Sequence, residues 1–211
     1  MTNPPTVFVV DDDQAMRNSL KWLIESVSMQ VETFESADAF INSYYPGRSG
    51  CLLLYVRMPG MSGLELQEYL RANQIAIPVI IITGHGDVPM AVRAMKSGAV
   101  DFIEKPFNDE LLLESIRHAL ALDVKQRDMQ AQRAEIATRL ARLTPREHEV
   151  MVMVTNGKAN KEIATSLGVS AKTVEAHRAR VMEKMQANSL AELVRMAINA
   201  NLTISESSSE E

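Results

Sequence analysis

Two patterns of apolar positions divide the chain. Up to about residue 120, short apolar runs such as TVFVV, CLLLYV and PVIIIT alternate with amphipathic stretches. Runs of this length and β-branched content read as strands buried on both faces, and the stretches between them as covering helices, the mark of βαβ units around a parallel sheet. Strands are predicted at Thr6–Val10, Gln30–Phe34, Cys51–Tyr55, Pro78–Thr83 and Val100–Ile103, with helical patterns beginning near Gln14, Ser36, Gly63, Val88 and Asn108. In such a sheet the working site lies at the carboxyl ends of the strands.

Beyond Leu120 the pattern changes. No Pro or Gly interrupts Leu120 to Leu143, and Ala, Gln, Arg and Leu dominate, so the fifth helix is expected to run on into a helical linker. Leu122, Met129, Ile136 and Leu143 recur every seven residues, a spacing that suits either a short coiled-coil seam or packing on the chain's own domain. Thr144-Pro145-Arg146-Glu147 is a capping box with Pro at the first helical position. Helices are predicted from there to Thr155, from Asn160 to Leu167, from Ser170 to Met185 and from Ser189 to about Ala200, with breaks at Asn156-Gly157 and Gly168. The expected fold is therefore α/β: a (βα)5 doubly wound parallel-sheet domain over residues 1–120, a helical linker over 121–142, and an all-α four-helix domain over 143–203. Residues 204–211 form a polar tail expected to be disordered.

Composition sharpens this division. The first 123 residues carry nine Lys/Arg against sixteen Asp/Glu, a balance of −7, whereas residues 124–142 stand at +3 and 143–200 at +2. Only the rear half has the charge to sit on polyphosphate. The single cysteine, Cys51, lies in an apolar run and reads as a core thiol. No eighteen-residue apolar run is present, and MTNPPTVFVVDDD lacks the features of a leader peptide, so a cytoplasmic protein with no membrane association is expected.

Asp11, Asp12 and Asp13 follow directly on an apolar strand. One acid there suits a helix cap; three in a row, repelling each other at a sheet edge, suit a Mg2+ ion. Thr83 closes the fourth strand and Lys105 follows the fifth, so this topology lets both converge on the same edge. The phrases VVDDD, RMPGMSGLEL, ITGHGDVPMAV and AMKSGAVDFIEKPF resemble the receiver domain of FixJ-type response regulators over residues 5–120. The resemblance implies that Asp11, Asp12 and the backbone carbonyl of Arg57 hold Mg2+, that Thr83 bonds a phosphoryl oxygen, that Phe102 is an aromatic switch, and that Lys105 pairs with phosphate. It also implies a cis Lys105–Pro106 bond.

At one position the chain departs from that pattern. The family's phosphoacceptor aspartate would stand in LLLDVRMPG; here the phrase is LLLYVRMPG, with Tyr55 in its place. An aspartate accepts the phosphoryl group from a sensor histidine kinase and ligates the metal. A phenol is neutral at pH 7, a poor ligand, and bulky enough to fill the pocket. Three readings follow: a variant of a chain that naturally carries aspartate, an atypical receiver that works without phosphate, or a phosphorylated tyrosine. Retention of Asp11, Asp12, Thr83, Phe102 and Lys105 favours the first, and histidine-kinase transfer to a carboxylate disfavours the third.

In the rear half, NKEIATSLGVSAKTVEAHRA reads as helix, tight turn, helix, with Ile163, Ala164, Leu167, Val169 and Val174 facing inward. Lys172, Thr173, Glu175, Ala176, Ala179 and Arg180 are left on the outer face, which suits a major groove. The phrases LTPREHEVM, NKEIATSLGVSAKTVEAHRARVMEKM and SLAELVRMA resemble the LuxR-type helix-turn-helix of NarL/FixJ regulators over residues 143–200. That resemblance places Glu175, Ala176 and Ala179 at base edges, and Lys172, Thr173, Arg178, Arg180 and Lys184 at phosphates. His177 reads as a packing histidine, and Met151, Met153, Met182 and Met185 as core.

The chain thus resembles a two-component transcription regulator and not an enzyme. The resemblance implies a sensor histidine kinase, a palindromic DNA operator, a homodimer on activation through about Val88 to Ala121, and RNA polymerase as a further contact. Two rivals stand beside it. One is a Mg2+-dependent phosphohydrolase built on Asp11-Asp12-Asp13 and Lys105, against which stands a helix-turn-helix where such an enzyme needs further acidic ligands. The other is a phosphorylation-independent DNA binder.

Overall fold

Successive residues of a strand face opposite sides of a sheet, so a sheet covered on both faces needs apolar residues at every strand position. β1 (Thr6–Val10) meets this requirement with five buried residues. So does β4 (Val79–Thr83), and β3 (Gly50–Tyr55) is buried throughout except at its last residue. β2 (Gln30–Phe34) and β5 (Asp101–Glu104) are only partly buried, as suits the edges. The order is β2-β1-β3-β4-β5, with every pairing parallel. The structure, a computed structural model, describes residues 4–200. The tail expected at 204–211 lies outside them.

One face of the sheet carries Phe8, Val10, Leu52, Leu54, Val79 and Ile81, packed with Phe40, Leu66, Leu70 and Ala94. Those last four come from α2 (Ala37–Ser43), α3 (Gly63–Ala72) and α4 (Val88–Lys96). The other face carries Val7, Val9, Cys51, Leu53, Ile80 and Ile82 against Leu20 and Ile24 of α1 (Gln14–Ser26) and Leu112, Ile116 and Ala119 of α5 (Asp109–Leu140). The doubly wound architecture predicted from the apolar runs is present, and Cys51 is a buried free thiol.

β3, β4 and β5 each begin one residue away from the sequence reading, and helix starts shift by a residue where caps intervene. Ser36, Ser170 and Ser189 stand just outside their helices as N-caps, each accepting a backbone N–H through its side chain. Thr144 and Glu147 form the predicted reciprocal capping box.

The chain divides into two compact units, Met1–Arg127 and Asp128–Glu211. In the second, α6 (Pro145–Thr155), α7 (Asn160–Leu167), α8 (Ala171–Met185) and α9 (Leu190–Asn199) surround Val150, Met151, Ile163, Val174, Val181, Met185 and Leu193. Ile136 is buried in this same core and Leu143 packs against it, so two members of the seven-residue series serve their own unit. Met129 is exposed. Among the described residues no helix is long and apolar enough to cross a membrane.

Candidate functional site

Strand register brings the predicted pocket residues to one edge of the sheet. Val10 lies opposite Leu54, Tyr55 opposite Ile82, and Thr83 opposite Glu104. Asp11, Tyr55, Thr83 and Lys105 therefore emerge at the same level from four neighbouring strands.

The three acids have separate roles. Asp13 is the N-cap of α1, its Oδ1 accepting from the backbone N–H of Ala15 at 2.8 Å. The helix-cap reading thus holds for this one. Asp11 is buried, its Oδ1 accepting from the N–H of Asp13 at 2.8 Å. Asp12 is exposed. Burial pushes the Asp11 carboxyl above its ordinary range, while the Asp13 N–H and the Lys105 ammonium pull against that rise. Arg17, which the sequence reading passed over, donates from Nη1 to the carbonyls of Asp11 at 2.8 Å and Asp12 at 2.9 Å, tying the acidic loop to α1. Its only sequence signal is a basic residue one turn into the helix behind the acids.

Tyr55 is half-buried and packs against the apolar clusters on both faces of the sheet. Its phenol reaches toward the exit of β4, where a Cβ placed on Gly84 would lie 3.4 Å from Oη. The Lys105 ammonium lies 4.1 Å from the centroid of the Tyr55 ring and 3.5 Å from Asp11 Oδ2. The side chain of Lys105 is 20% exposed and that of Asp11 3%.

Thr83 is buried, and its hydroxyl is engaged with its own loop, donating to the His85 carbonyl at 3.2 Å and accepting from the His85 N–H at 3.3 Å. Phe102 is half-buried. Gly86 lets this loop close down: a Cβ there would stand 3.0 Å from the Phe102 ring and 3.3 Å from Thr83 Cγ2. The expected switch residues thus share one contact point. The Lys105–Pro106 bond is cis. Arg57 is exposed in the loop after β3, between buried Val56 and Met58.

With Tyr55 in place of a carboxylate, the pocket offers Mg2+ one side-chain ligand fewer than the family pattern does. Among the described residues there is no group of three or more His, Cys, Asp or Glu side chains placed to share a metal. Of the two carboxylates not used as a helix cap, Asp11 has Oδ1 on the Asp13 N–H and Oδ2 3.5 Å from the Lys105 ammonium.

In the second unit, Lys172, Thr173, Glu175, Ala176, Ala179 and Arg180 are all exposed along one face of α8, while Val174 and Val181 face the core. Gly168 supplies the left-handed residue of the turn, with φ +65. Ile163, Ala164, Leu167 and Val169 pack inward as the spacing predicts, and Met151, Met153, Met182 and Met185 join the same core. Two of the basic residues assigned to phosphates have partners within the unit. Arg178 Nη1 donates to Asn160 Oδ1 at 2.7 Å, and Lys184 Nζ donates to Glu147 Oε2 at 2.5 Å. His177 is half-buried with its Nδ1 unpartnered.

Residues 7–117 match the family described as response regulator receiver domain, and residues 141–197 match the bacterial regulatory proteins of the luxR family. The chain is 47% identical to the transcriptional regulatory protein FixJ of Bradyrhizobium diazoefficiens over 96% of its length and 98% of that protein's. It is 44% identical to the response regulator protein TodT of Pseudomonas putida, over 90% and 84%. Among solved structures, the response regulator StyR matches with a TM-score of 0.83 at 44% identity, covering 93% of this chain and 99% of StyR. The receiver frame at one sheet edge, the outward face of α8, and these relatives along nearly the whole length agree: the chain belongs to the two-component transcription response regulators that join a receiver domain to a LuxR-type helix-turn-helix domain.

Proposed function

We propose that this regulator binds its operator through α8 while its receiver, as the chain stands, does not accept a phosphoryl group. The observation that carries the reading is Tyr55 at the end of β3, its ring beneath the Lys105 ammonium at the level where the family's carboxylate acceptor would emerge. A phenol offers neither the nucleophilic carboxylate for an acyl phosphate nor a good ligand for the metal that assists transfer.

Receiver domains use Mg2+ in phosphoryl transfer, and their family pairs them with sensor histidine kinases. In this chain Asp11, Asp12 and the Arg57 carbonyl are the groups that would face the metal, with Thr83, Phe102 and Lys105 as the phosphate-sensing and switch residues. Restoring an aspartate at position 55 would complete that set. The regulatory reading, with no turnover of its own, is favoured over a phosphohydrolase because the rear half is a DNA-binding domain.

Domain limits of 1–120 for the receiver, 121–142 for the linker and 143–203 for the DNA-binding domain suit this reading. A single small domain offers little contact area, so two copies on a palindromic site are proposed, joined through Val88 to Ala121. Exposed Val88, Val92, Met95 and Leu111 support that surface, as does an adjoining groove of about 660 Å³ lined by Phe102, Leu111 and His118. RNA polymerase is the further contact proposed at the promoter.

The test is selection of duplexes from a random pool by the full chain without phosphodonor. Enrichment of an inverted repeat with half-sites about one helical turn apart is expected. Failure to enrich any sequence would refute operator binding by the chain as it stands.

A further inference from the structure

Resting on the reading of Tyr55 as a disabled acceptor, we propose that Lys105 is this receiver's built-in cation: its ammonium neutralises the acidic pocket in place of a divalent ion, so the native chain does not take up Mg2+.

A buried carboxylate must meet a counter-charge or hydrogen bonds. Asp11, 3% exposed at its side chain, has one oxygen on the Asp13 N–H and the other 3.5 Å from Lys105 Nζ. An isolated, partly exposed ion pair at that distance holds weakly. Here it is reinforced, because the same ammonium lies 4.1 Å from the Tyr55 ring centroid, within the range of a cation–π contact. The aromatic face therefore fixes a long, flexible side chain that would otherwise lose its rotamer entropy for one contact. Tyr55 is itself fixed by packing against both sheet faces. An incoming ion would have to displace the ammonium from Asp11 and from the ring, with exposed Asp12 and backbone carbonyls as the further donors at this edge. The substitution at position 55 thus removes a ligand and also supplies the surface that holds the replacement cation.

The test uses Mg2+ alone, added to the full chain and followed by calorimetric titration and thermal unfolding. The native chain is expected to give no saturable heat and no shift in midpoint, as is Tyr55→Phe, which keeps the ring. Tyr55→Asp is expected to bind Mg2+ at least roughly tenfold more tightly than the native chain. Lys105→Met, which keeps the aliphatic stem, is expected to unfold at lower temperature and to be stabilised by Mg2+ although Tyr55 is still present. If that variant does not fold, the Lys105 ε-methylene protons provide the readout by NMR. Ring-current shifts present in the native chain and in Tyr55→Phe, and absent in Tyr55→Leu, support the stacked cation; unshifted protons in the native chain overturn it. Saturable millimolar Mg2+ binding by the native chain, or a Lys105→Met variant with unchanged stability and no Mg2+ response, also overturns it. None of these readouts involves DNA, so loss of phosphate-independent operator binding would refute the functional reading and leave this result standing.

Discussion

Asp123 and Arg127, one turn apart on α5, form a clasp between that helix and the entry to β3. Both Asp123 oxygens lie 2.9 Å from Arg127 Nε, and Oδ2 also accepts from Ser49 Oγ at 2.6 Å and from the Gly50 N–H at 2.9 Å. Arg127 donates in turn to the carbonyls of Pro46, at 3.0 Å, and Arg48. Asp123 is fully buried. Removing Arg127 leaves the buried Asp123 carboxylate without its counter-charge, so Arg127→Met is expected to destabilise the first unit by about 3 kcal/mol. Urea unfolding followed by circular dichroism checks this; a change within about 0.5 kcal/mol, the usual effect of a surface substitution, would show that the clasp contributes nothing.

Gly50, whose N–H enters that clasp, has φ +153, and a Cβ there would stand 1.8 Å from the Thr6 carbonyl oxygen. The neighbour is backbone of a central strand and has no room to move. Gly50→Ala is therefore expected to cost more than about 3 kcal/mol, enough to lower soluble yield and abolish a cooperative melt near the native midpoint. Native-like melting would contradict the close approach.

Glu147 sits between the Thr144 cap and Lys184. The Lys184 hydrogen bond first, then the Thr144 N–H, pull its carboxyl from 4.5 to about 2. A carboxyl whose folded value is depressed contributes stability above its unfolded value and loses it as pH falls through the folded one. The second unit should hence lose this contribution progressively between about pH 4.5 and 2. Glu147→Gln is expected to lower stability at pH 7 and to flatten that acid limb, as read from unfolding midpoints across the window. An unchanged limb would remove Glu147 as its source.

Burial pushes the Cys51 thiol up to about 12, with Asp123 adding to the rise. The thiolate is the reactive form, so a thiol reagent at pH 8 should leave the native chain unmodified and label it fully in denaturant. Rapid labelling of the folded chain would place Cys51 outside the core.

On α8, the exposed side chains divide by role. Lys172→Ala is expected to weaken binding to all duplexes alike and to reduce the salt slope of the binding constant by about 1. Glu175→Ala is expected to shift preference at one base pair by about 1–3 kcal/mol instead. Fluorescence anisotropy with matched and mismatched duplexes at two salt concentrations separates them. Equal discrimination by Glu175→Ala would remove that residue from base reading.

The sequence revealed some of these features and hid others for definite physical reasons. Short apolar runs bounded by polar residues specify strands buried on both faces, so Thr6–Val10 has the predicted limits, as does the edge strand Gln30–Phe34. The inward series Ile163, Ala164, Leu167, Val169 and Val174 is likewise a matter of local periodicity. The acids and Thr83 are legible because they follow or end an apolar run, and Lys105 because it stands in the phrase DFIEKPF just past the fifth strand. What stayed hidden depends on partners distant in the chain. Asp123 looks like one charge on a polar helix until Ser49 and Gly50 fold against it. Lys184 has the spacing of a surface cation, yet its ammonium meets Glu147, thirty-seven positions earlier. Tyr55 was visible as a lost acceptor, but its role as the seat of an ammonium required the geometry.

The most direct test of the central claim is intact mass and operator affinity of the native chain and of Tyr55→Asp, each with and without a small phosphodonor and Mg2+. The expected result is an added mass of about 80 Da, with tighter DNA binding, in Tyr55→Asp alone, the native chain keeping its mass and one affinity throughout. A native chain that gains that mass and binds its operator more tightly on treatment would contradict the account.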